Sequence, residues 1–358
     1  MGIIRFFLAF CVVLGHAGTN HAIGPVLDSW VAVQGFYIIS GFYISMVLNT
    51  SYSSCLVFWS NRLLRLLPVY YAALLLGLWA YQLGNGVSYW HDFSQLPLAP
   101  LAFMFFNQAT LIFQDVTLFT GVQQGHFMFM ADGSDSTPIL RNLLIIPQAW
   151  SLGVEVSFYL VAPFIVRKLP LIGALFLGSL VVRMLLIRAG YSGDPWSYRF
   201  FPNELALFLL GVMAHKLYAR HRPHFERKDW LGWVLLVAMV AYIVVWAHIP
   251  LGNDARKICF FLLTAASLPY VFALSKDNAL DRFIANLSYP IYVSHYALMT
   301  IYDKKIGAYD TLWSQLGLYS MILLVSIALY LAIDWPMDRV RKRIKHFRTR
   351  ASAIGKES

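Results

Sequence analysis

Long apolar stretches with short polar interruptions occupy almost the whole chain. Runs such as "WLGWVLLVAMVAYIVVWAHI" and "LYSMILLVSIALYLAIDW" approach the roughly twenty residues that a membrane-crossing helix requires. The pattern predicts an all-α, polytopic membrane helical bundle of about ten transmembrane helices, near 4–23, 29–48, 63–82, 146–166, 170–187, 202–218, 230–249, 257–274, 286–303 and 312–334. Many of these runs contain Gly, Pro or polar residues, as expected of helices that line an internal cavity. One more apolar run, "LPLAPLAFMFFNQATLIF" at 96–113, is nearly long enough to cross. Counting it as a span would place Arg167 and Lys168 outside and break the charge pattern downstream. It is therefore expected to be a re-entrant or interfacial segment in a long extracytoplasmic excursion, from about 83 to 145.

Composition agrees with the pattern. The 358 residues are 59% hydrophobic and 13% charged, where a soluble domain carries about 25% charged. The net charge of +10 is concentrated at the C-terminal end, where eight Lys and Arg residues fall in the last twenty. Next to a final apolar helix, that is the mark of a cytoplasmic tail on an anionic leaflet, with membrane lipids as partners. No aromatic interleaving or nucleic-acid fold signature accompanies it, so no nucleic-acid partner is expected. Arg62 and Arg65, the Arg167-Lys168 turn and the basic stretch from Lys216 to Lys228 fall on the same side, which puts both termini in the cytoplasm. The division expected is an integral membrane domain over 1–338 and a basic cytoplasmic tail over 339–358. Cys11, Cys55 and Cys259 are scattered and odd in number, so neither a disulfide framework nor a metal site follows from them.

Some polar residues in the apolar runs are costly enough to need a reason. In "MGIIRFFLAFCVVLGH", eleven helical steps of about 100° bring His16 back to the face of Arg5, about 16 Å along the axis. If Arg5 marks the edge of the hydrocarbon, His16 lies near its middle, where an ionisable group points to function. Taken alone, the segment also reads as a cleaved signal peptide, or His16 as a satisfied polar contact. In "VQGFYIISGFYISMVL", Gly35, Ser40 and Gly41 sit among aromatics, which suits either close helix packing or a path for a slim substrate chain. Arg62 and Arg65 project together from one helical face; they serve either as lipid anchors or as paired forks for a pyrophosphate-bearing ligand. Glu155, deep in "AWSLGVEVSFYLVAPF", must be neutral, paired or wet. Glu204 sits nearer the outer mouth, where exposure would account for it. Arg183 and His295 complete the buried candidates, with His295 at a depth like that of His16.

Together these segments resemble the acyltransferase-3 family of integral membrane proteins. The resemblance rests on R-x-x-x-A-x-x-V-V-x-x-H from Arg5 to His16, G-F-Y-x-x-S-G-F from Gly35 to Phe42 and the R-x-x-R pair Arg62 and Arg65. It continues in W-S-L-x-x-E-x-x-F-Y from Trp150 to Tyr159 and Y-x-x-Y-x-x-H from Tyr289 to His295. In place of the Asp-Gly that often precedes the first Arg, this chain has Gly-Ile-Ile. The extra helix and esterase-like domain of many members are absent from the sequence. The resemblance implies an O-acyltransferase of the inner membrane that modifies cell-surface polysaccharide or a lipid-linked saccharide, with acetyl-CoA or another acyl-CoA as donor substrate and no permanently bound cofactor. His16 would act as general base, with Glu155 orienting His16 or the sugar. Arg5, Arg62, Arg65, Gly35, Ser40 and Gly41 would bind acyl-CoA, and Glu204 and His295 would support the acceptor side. The rival expectation is a transporter or flippase of a lipid-linked glycan, which also uses buried His and Glu but often shows internal repeats.

Overall fold

The computed structural model describes residues 1–18, 26–52, 54–86 and 89–354. Each of the ten predicted spans contains one helix. The first three are α1 (Gly2–His16), α2 (Ser29–Thr50) and α3 (Cys55–Asn85). Two short helices follow in the excursion, α4 (Tyr89–Ser94) and α5 (Leu98–Thr110). Then come α6 (Trp150–Ile165), α7 (Leu169–Arg188), α8 (Phe201–Arg220), the short α9 (Arg222–Glu226), α10 (Asp229–Val244), α11 (Asn253–Ser275), α12 (Ala279–Lys305), α13 (Leu312–Leu329) and α14 (Trp335–Ile354). Among the described residues, five helical stretches are long and apolar enough to cross a membrane: α2, α3, α7, α11 and the continuous Leu312–Ile344. Helices α1 and α10 are apolar but shorter. The end of the first predicted span, 19–23, lies outside the described residues.

The excursion is built differently from the rest. With 13 residues, α5 reaches about 20 Å, shorter than a hydrocarbon layer about 30 Å thick. It is followed by a hairpin that the hydrophobic pattern does not announce, β1 (Thr120–Gln123) paired antiparallel with β2 (His126–Phe129). Gln124 and Gly125 both have positive φ at its tip, the backbone that a two-residue hairpin turn requires.

Packing follows from two devices. The first fastens α1 beside α12. The Asp281 carboxylate accepts the backbone N–H groups of Gly2 (2.8 Å) and Ile3 (3.1 Å), satisfying orphan donors at the start of α1. Fourteen residues further along both helices, His16 faces His295, with ring centroids 5.1 Å apart. Contacts in register at both ends make the two helices parallel neighbours. Helix α3 runs the same way, since the Tyr289 hydroxyl donates to the Leu66 carbonyl and Gly84 meets Thr300.

The second device is the close approach of α2 and α8. A Cβ on Gly41 would lie 1.9 Å from the Phe208 carbonyl oxygen, and one on Gly211 would lie 1.9 Å from that of Ile38. Each helix thus supplies a glycine where the other presents backbone, the small-residue solution to packing in lipid. By contrast α7 is mostly exposed, with Leu177, Val181, Met184 and Leu185 on its surface, as suits a lipid-facing helix. Outside the apolar bundle, hydrogen bonds from Lys276 and Arg222 hold the Glu226 carboxyl down at about 2, tying α9 to the end of α11.

At the C-terminal end, α13 passes through a π-helical turn, Tyr330–Asp334, into α14. The expected boundary at 338 falls inside α14 with no break in the helix. Its first turns pack on α3, where Asn61 donates to the Arg341 carbonyl.

The glycine contacts give a direct test. Gly41→Ala and Gly211→Ala each force backbone apart and should cost about 1–3 kcal/mol, read as a lower thermal midpoint in detergent. Gly178→Ala, on α7 with nothing within 4 Å of the added methyl, should stay within about 0.5 kcal/mol of wild type.

Candidate active site

A cavity of about 530 Å³ lies among α1, α2, α3, α6, α12 and the start of α14. Five of the sequence candidates line it together: Arg5, Ser40, Arg62, Arg65 and Glu155. On α12 it extends from Arg282 to Tyr292, ten residues or about 15 Å of helix. Arg282, Asn286 and Tyr289 share one face of α12 by their i, i+4, i+7 spacing, which is why one helix can line the cavity along its length. The residues at the Arg282 end are basic and include Arg341 and Lys342 of α14.

The charges in the cavity are unbalanced. Its lining holds six cations, Arg5, Arg62, Arg65, Arg282, Arg341 and Lys342, against the carboxylates of Glu155, Asp334 and Asp338. Asp334 is almost fully buried, 2.5 Å from the Arg65 guanidinium and 3.8 Å from that of Arg341. Arg65 also donates to the Asn286 amide oxygen at 3.2 Å. Arg341 and Lys342 share Asp338, each at 2.7 Å. Among the described residues, Arg5, Arg62 and Arg282 have no carboxylate partner, and the buried Nε of Arg62 has no hydrogen-bond acceptor. Like charges gathered in a half-buried space repel one another, and an entering polyanion relieves that repulsion while taking charge-assisted hydrogen bonds.

Glu155 sits in the wall of the same cavity. Its Oε1 accepts the Ser40 hydroxyl at 2.6 Å and the Tyr159 hydroxyl at 2.7 Å. Tyr159 lies one turn beyond Glu155 on α6, so the pair belongs to one helical face. Gly35 and Gly41 are turned away from the cavity. Gly41 packs on α8, as described, and a Cβ on Gly35 would meet the Phe260 ring and Leu8. Of the two readings open for these glycines, close packing is the one their geometry matches.

His16 is not part of the cavity lining. At the inner end, the Tyr292 hydroxyl lies 2.5 Å from Ser151 Oγ and donates to the Gln148 carbonyl at 2.8 Å, while the Gln148 amide donates to the Val293 carbonyl at 3.0 Å. These hydrogen bonds form a plug at that end of the cavity, with Ser151 and Tyr292 in its lining. His295 is three residues past Tyr292, about 4.5 Å further along α12. Its Nδ1 donates to the Tyr292 carbonyl (2.7 Å), and its Nε2 lies 3.4 Å from His16 Nδ1. His16 Nδ1 is itself 2.8 Å from the Val12 carbonyl, which can only accept. Nδ1 must therefore carry the hydrogen, and in the neutral ring Nε2 keeps its lone pair free to take a proton. His16 makes this arrangement with His295 and Val12; Glu155 makes its contacts with Ser40 and Tyr159.

Glu204 departs from its expected exposure. It is fully buried, pairing with Arg183 at 2.9 Å and accepting the Gln34 amide at 2.9 Å, and so links α2, α7 and α8. Beyond the plug, sequence reasoning missed Arg199. Asp194 holds it in two hydrogen bonds, 2.6 and 3.0 Å, and its guanidinium stacks on Trp150 (4.4 Å) and Tyr198 (4.8 Å), within electrostatic reach of His16. Arg282, Asp334 and Arg341 were missed as well. The i, i+4, i+7 face of α12 was a usable signal for Arg282; the turn that aims Asp334 at Arg65 left no mark in the sequence.

A protein of Aquifex aeolicus (strain VF5), described as an uncharacterized protein, is 24% identical over 200 residues, which cover 55% of this chain and 88% of that protein. No solved structure matches. The family described as "Acyltransferase domain", the acyltransferase-3 family that the motifs resemble, matches residues 1–331 and so takes in Arg5, His16, Ser40, Arg62, Arg65, Glu155 and His295. With that match over most of its length and an all-helical bundle around the motif residues, the chain belongs to the acyltransferase-3 family and is a membrane acyltransferase.

Proposed function

We propose that the protein transfers an acetyl or other short acyl group from acyl-CoA to a hydroxyl of a cell-surface or lipid-linked saccharide, with His16 as general base. The observation that carries this reading is the cavity of guanidinium groups, three of them without a carboxylate among the described residues, that ends about one helical turn short of His295, the neighbour of His16. The phosphates of the donor are held by Arg62 and Arg65, and its pantetheine arm passes Arg5, Ser40 and Glu155 towards the plug. The saccharide approaches from the opposite side, past Arg199 and Trp150. Its hydroxyl oxygen attacks the thioester carbonyl carbon, the C–O bond forms, and His16 Nε2 takes the hydroxyl proton. The C–S bond then breaks, and the proton leaves with the CoA thiol.

For donor and base to meet, the hydroxyls of Ser151 and Tyr292 must part, which makes the plug a barrier to water until the thioester arrives. His295 positions His16, with His16 Nδ1 shared between Val12 and His295. The basic end faces the cytoplasm of a cell whose inner membrane holds the protein, with both termini on that side. The transporter reading is set aside, because the chain belongs to an acyltransferase family.

Replacing the base should cost rate and leave the fold intact. His16→Ala should accumulate in the membrane at normal levels and lose about 10²–10⁴-fold in saccharide acylation. The O-acyl signal in NMR spectra of the surface polysaccharide would show it, and wild-type acylation by this variant would remove His16 from the mechanism.

The arginine pair separates binding from stability. Arg62→Ala should weaken acyl-CoA binding with little change in thermal midpoint, since Arg62 has no carboxylate to abandon. Arg65→Ala should weaken binding and also lose about 3–5 kcal/mol of stability, because it leaves the buried Asp334 without its nearest cation. Lys replacements should restore only part of the affinity, lacking the planar fork. Calorimetric titration with CoA checks both, and wild-type affinity in the two Ala variants would make the arginines lipid anchors.

Orientation is tested with single cysteines at Gln124 and Ser352, in a background lacking Cys11, Cys55 and Cys259. In intact cells an impermeant thiol reagent should label the residue at 124 and spare the one at 352. The reverse pattern would invert the topology.

A further inference from the structure

The cations at the mouth exceed what a pyrophosphate needs. Apart from Arg5 and Glu155 deeper in, the lining has five cations, Arg62, Arg65, Arg282, Arg341 and Lys342, against two carboxylates, Asp334 and Asp338. A pyrophosphate diester carries two negative charges and leaves one of these cations unmatched. The excess has a place in the fold. Arg65 touches Asn286, and Arg282 lies one helical turn further out along α12, about 6 Å nearer the mouth. Arg282 has no carboxylate partner among the described residues, although its neighbour Asp281 is occupied in holding the start of α1.

The geometry points to Arg282 as the residue that recognises a third phosphate, a phosphomonoester on the nucleoside end of the donor, with Lys342 beside it across the mouth. This rests on the acyl-CoA reading above and extends it to the group that distinguishes CoA from simpler pantetheine diphosphates. The order of groups along such a donor matches the order of residues along the cavity. The thioester leads inward to Ser40 and Glu155, the pyrophosphate follows at Arg62 and Arg65, and the nucleoside monophosphate comes last, at the outermost guanidinium. A phosphomonoester carries about −1.5 to −2 charge at neutral pH, so it gains most from a cation with no other partner. The consequence is a donor site that selects by the 3′-phosphate, built partly from the opening of α14 that charge alone would assign to a lipid-binding tail.

The test compares CoA with 3′-dephospho-CoA in calorimetric titrations of the purified full chain in lipid nanodiscs. Wild type should bind CoA about ten-fold or more tighter, as expected for a charge-assisted contact. R282A should bind 3′-dephospho-CoA within about two-fold of wild type and lose the preference for CoA; R282K should recover part of it. Retained binding of 3′-dephospho-CoA also shows that the variant is folded. An equal loss for both ligands in R282A, or no preference in wild type, overturns the assignment while leaving the donor reading intact. If wild type binds neither ligand, the donor reading fails and the assignment fails with it. If R282A keeps the CoA preference but co-purifies with less anionic lipid, Arg282 serves headgroup phosphate and the assignment is overturned.

Discussion

Three guanidinium groups, on Arg5, Arg62 and Arg282, face one half-buried cavity in an apolar bundle without a carboxylate of their own among the described residues. In a low-dielectric setting this is an unfavourable arrangement, and the surrounding fold exists to hold it. The parallel fastening of α1 to α12 sets Arg5 and Arg282 on adjacent helices. Helix α3 runs parallel to both and adds Arg62 and Arg65. The π-helical turn after α13 then delivers one buried carboxylate, Asp334, to Arg65. Single π turns recur at functional sites because they re-aim side chains that a regular helix would leave on another face.

The contrast with Glu204 shows which charges are structural. Glu204 is paired with Arg183 and accepts the Gln34 amide between α2, α7 and α8, with the carboxylate fully out of solvent. Both of its oxygens are taken, each by one partner. In the cavity the pairing is left incomplete, with the Arg62 Nε and one Asp334 oxygen buried and without hydrogen-bond partners. Both sites lie close to α2, yet at Glu204 the cation has its carboxylate, while in the cavity Arg5, Arg62 and Arg282 have none among the described residues.

What the sequence disclosed follows from how each contact is made. Arg62 with Arg65, and Arg5 with His16, were readable because each pair lies on one helix, where spacing fixes the face. Ser40 and Glu155 were found separately, and their hydrogen bond joins α2 to α6, a contact that helical periodicity cannot report. Gly41 was ambiguous for the same reason: period alone says which residues share a face, not whether that face meets a cavity or the backbone of α8. Arg199 escaped notice because its role depends on Trp150, which lies far away in sequence. The membrane character was legible throughout, yet among the described residues only five helical stretches meet the length and apolarity of a lone span. Helices α1, α6 and α10 have only 15 or 16 residues, and α8 and α12 carry charged and polar side chains along their length, so hydropathy reads these as weaker crossings.

The plug has a consequence for the order of events. Gln148, Ser151 and Tyr292 tie the short turn before α6 to α12 by hydrogen bonds, at the end of the cavity nearest His295. His295 accompanies that turn, because its Nδ1 donates to the carbonyl of Tyr292 itself. A movement of Tyr292 therefore also shifts the partner of His16 Nδ1. Parting the plug and re-aiming His16 are then one structural change, since the same residue of α12 supplies the hydroxyl that meets Ser151 and the carbonyl that holds His295. On the acyl-transfer reading proposed above, a donor held at the arginines with its arm withdrawn would leave the plug shut and His16 out of reach, so thioester and proposed base would meet only when Tyr292 moves.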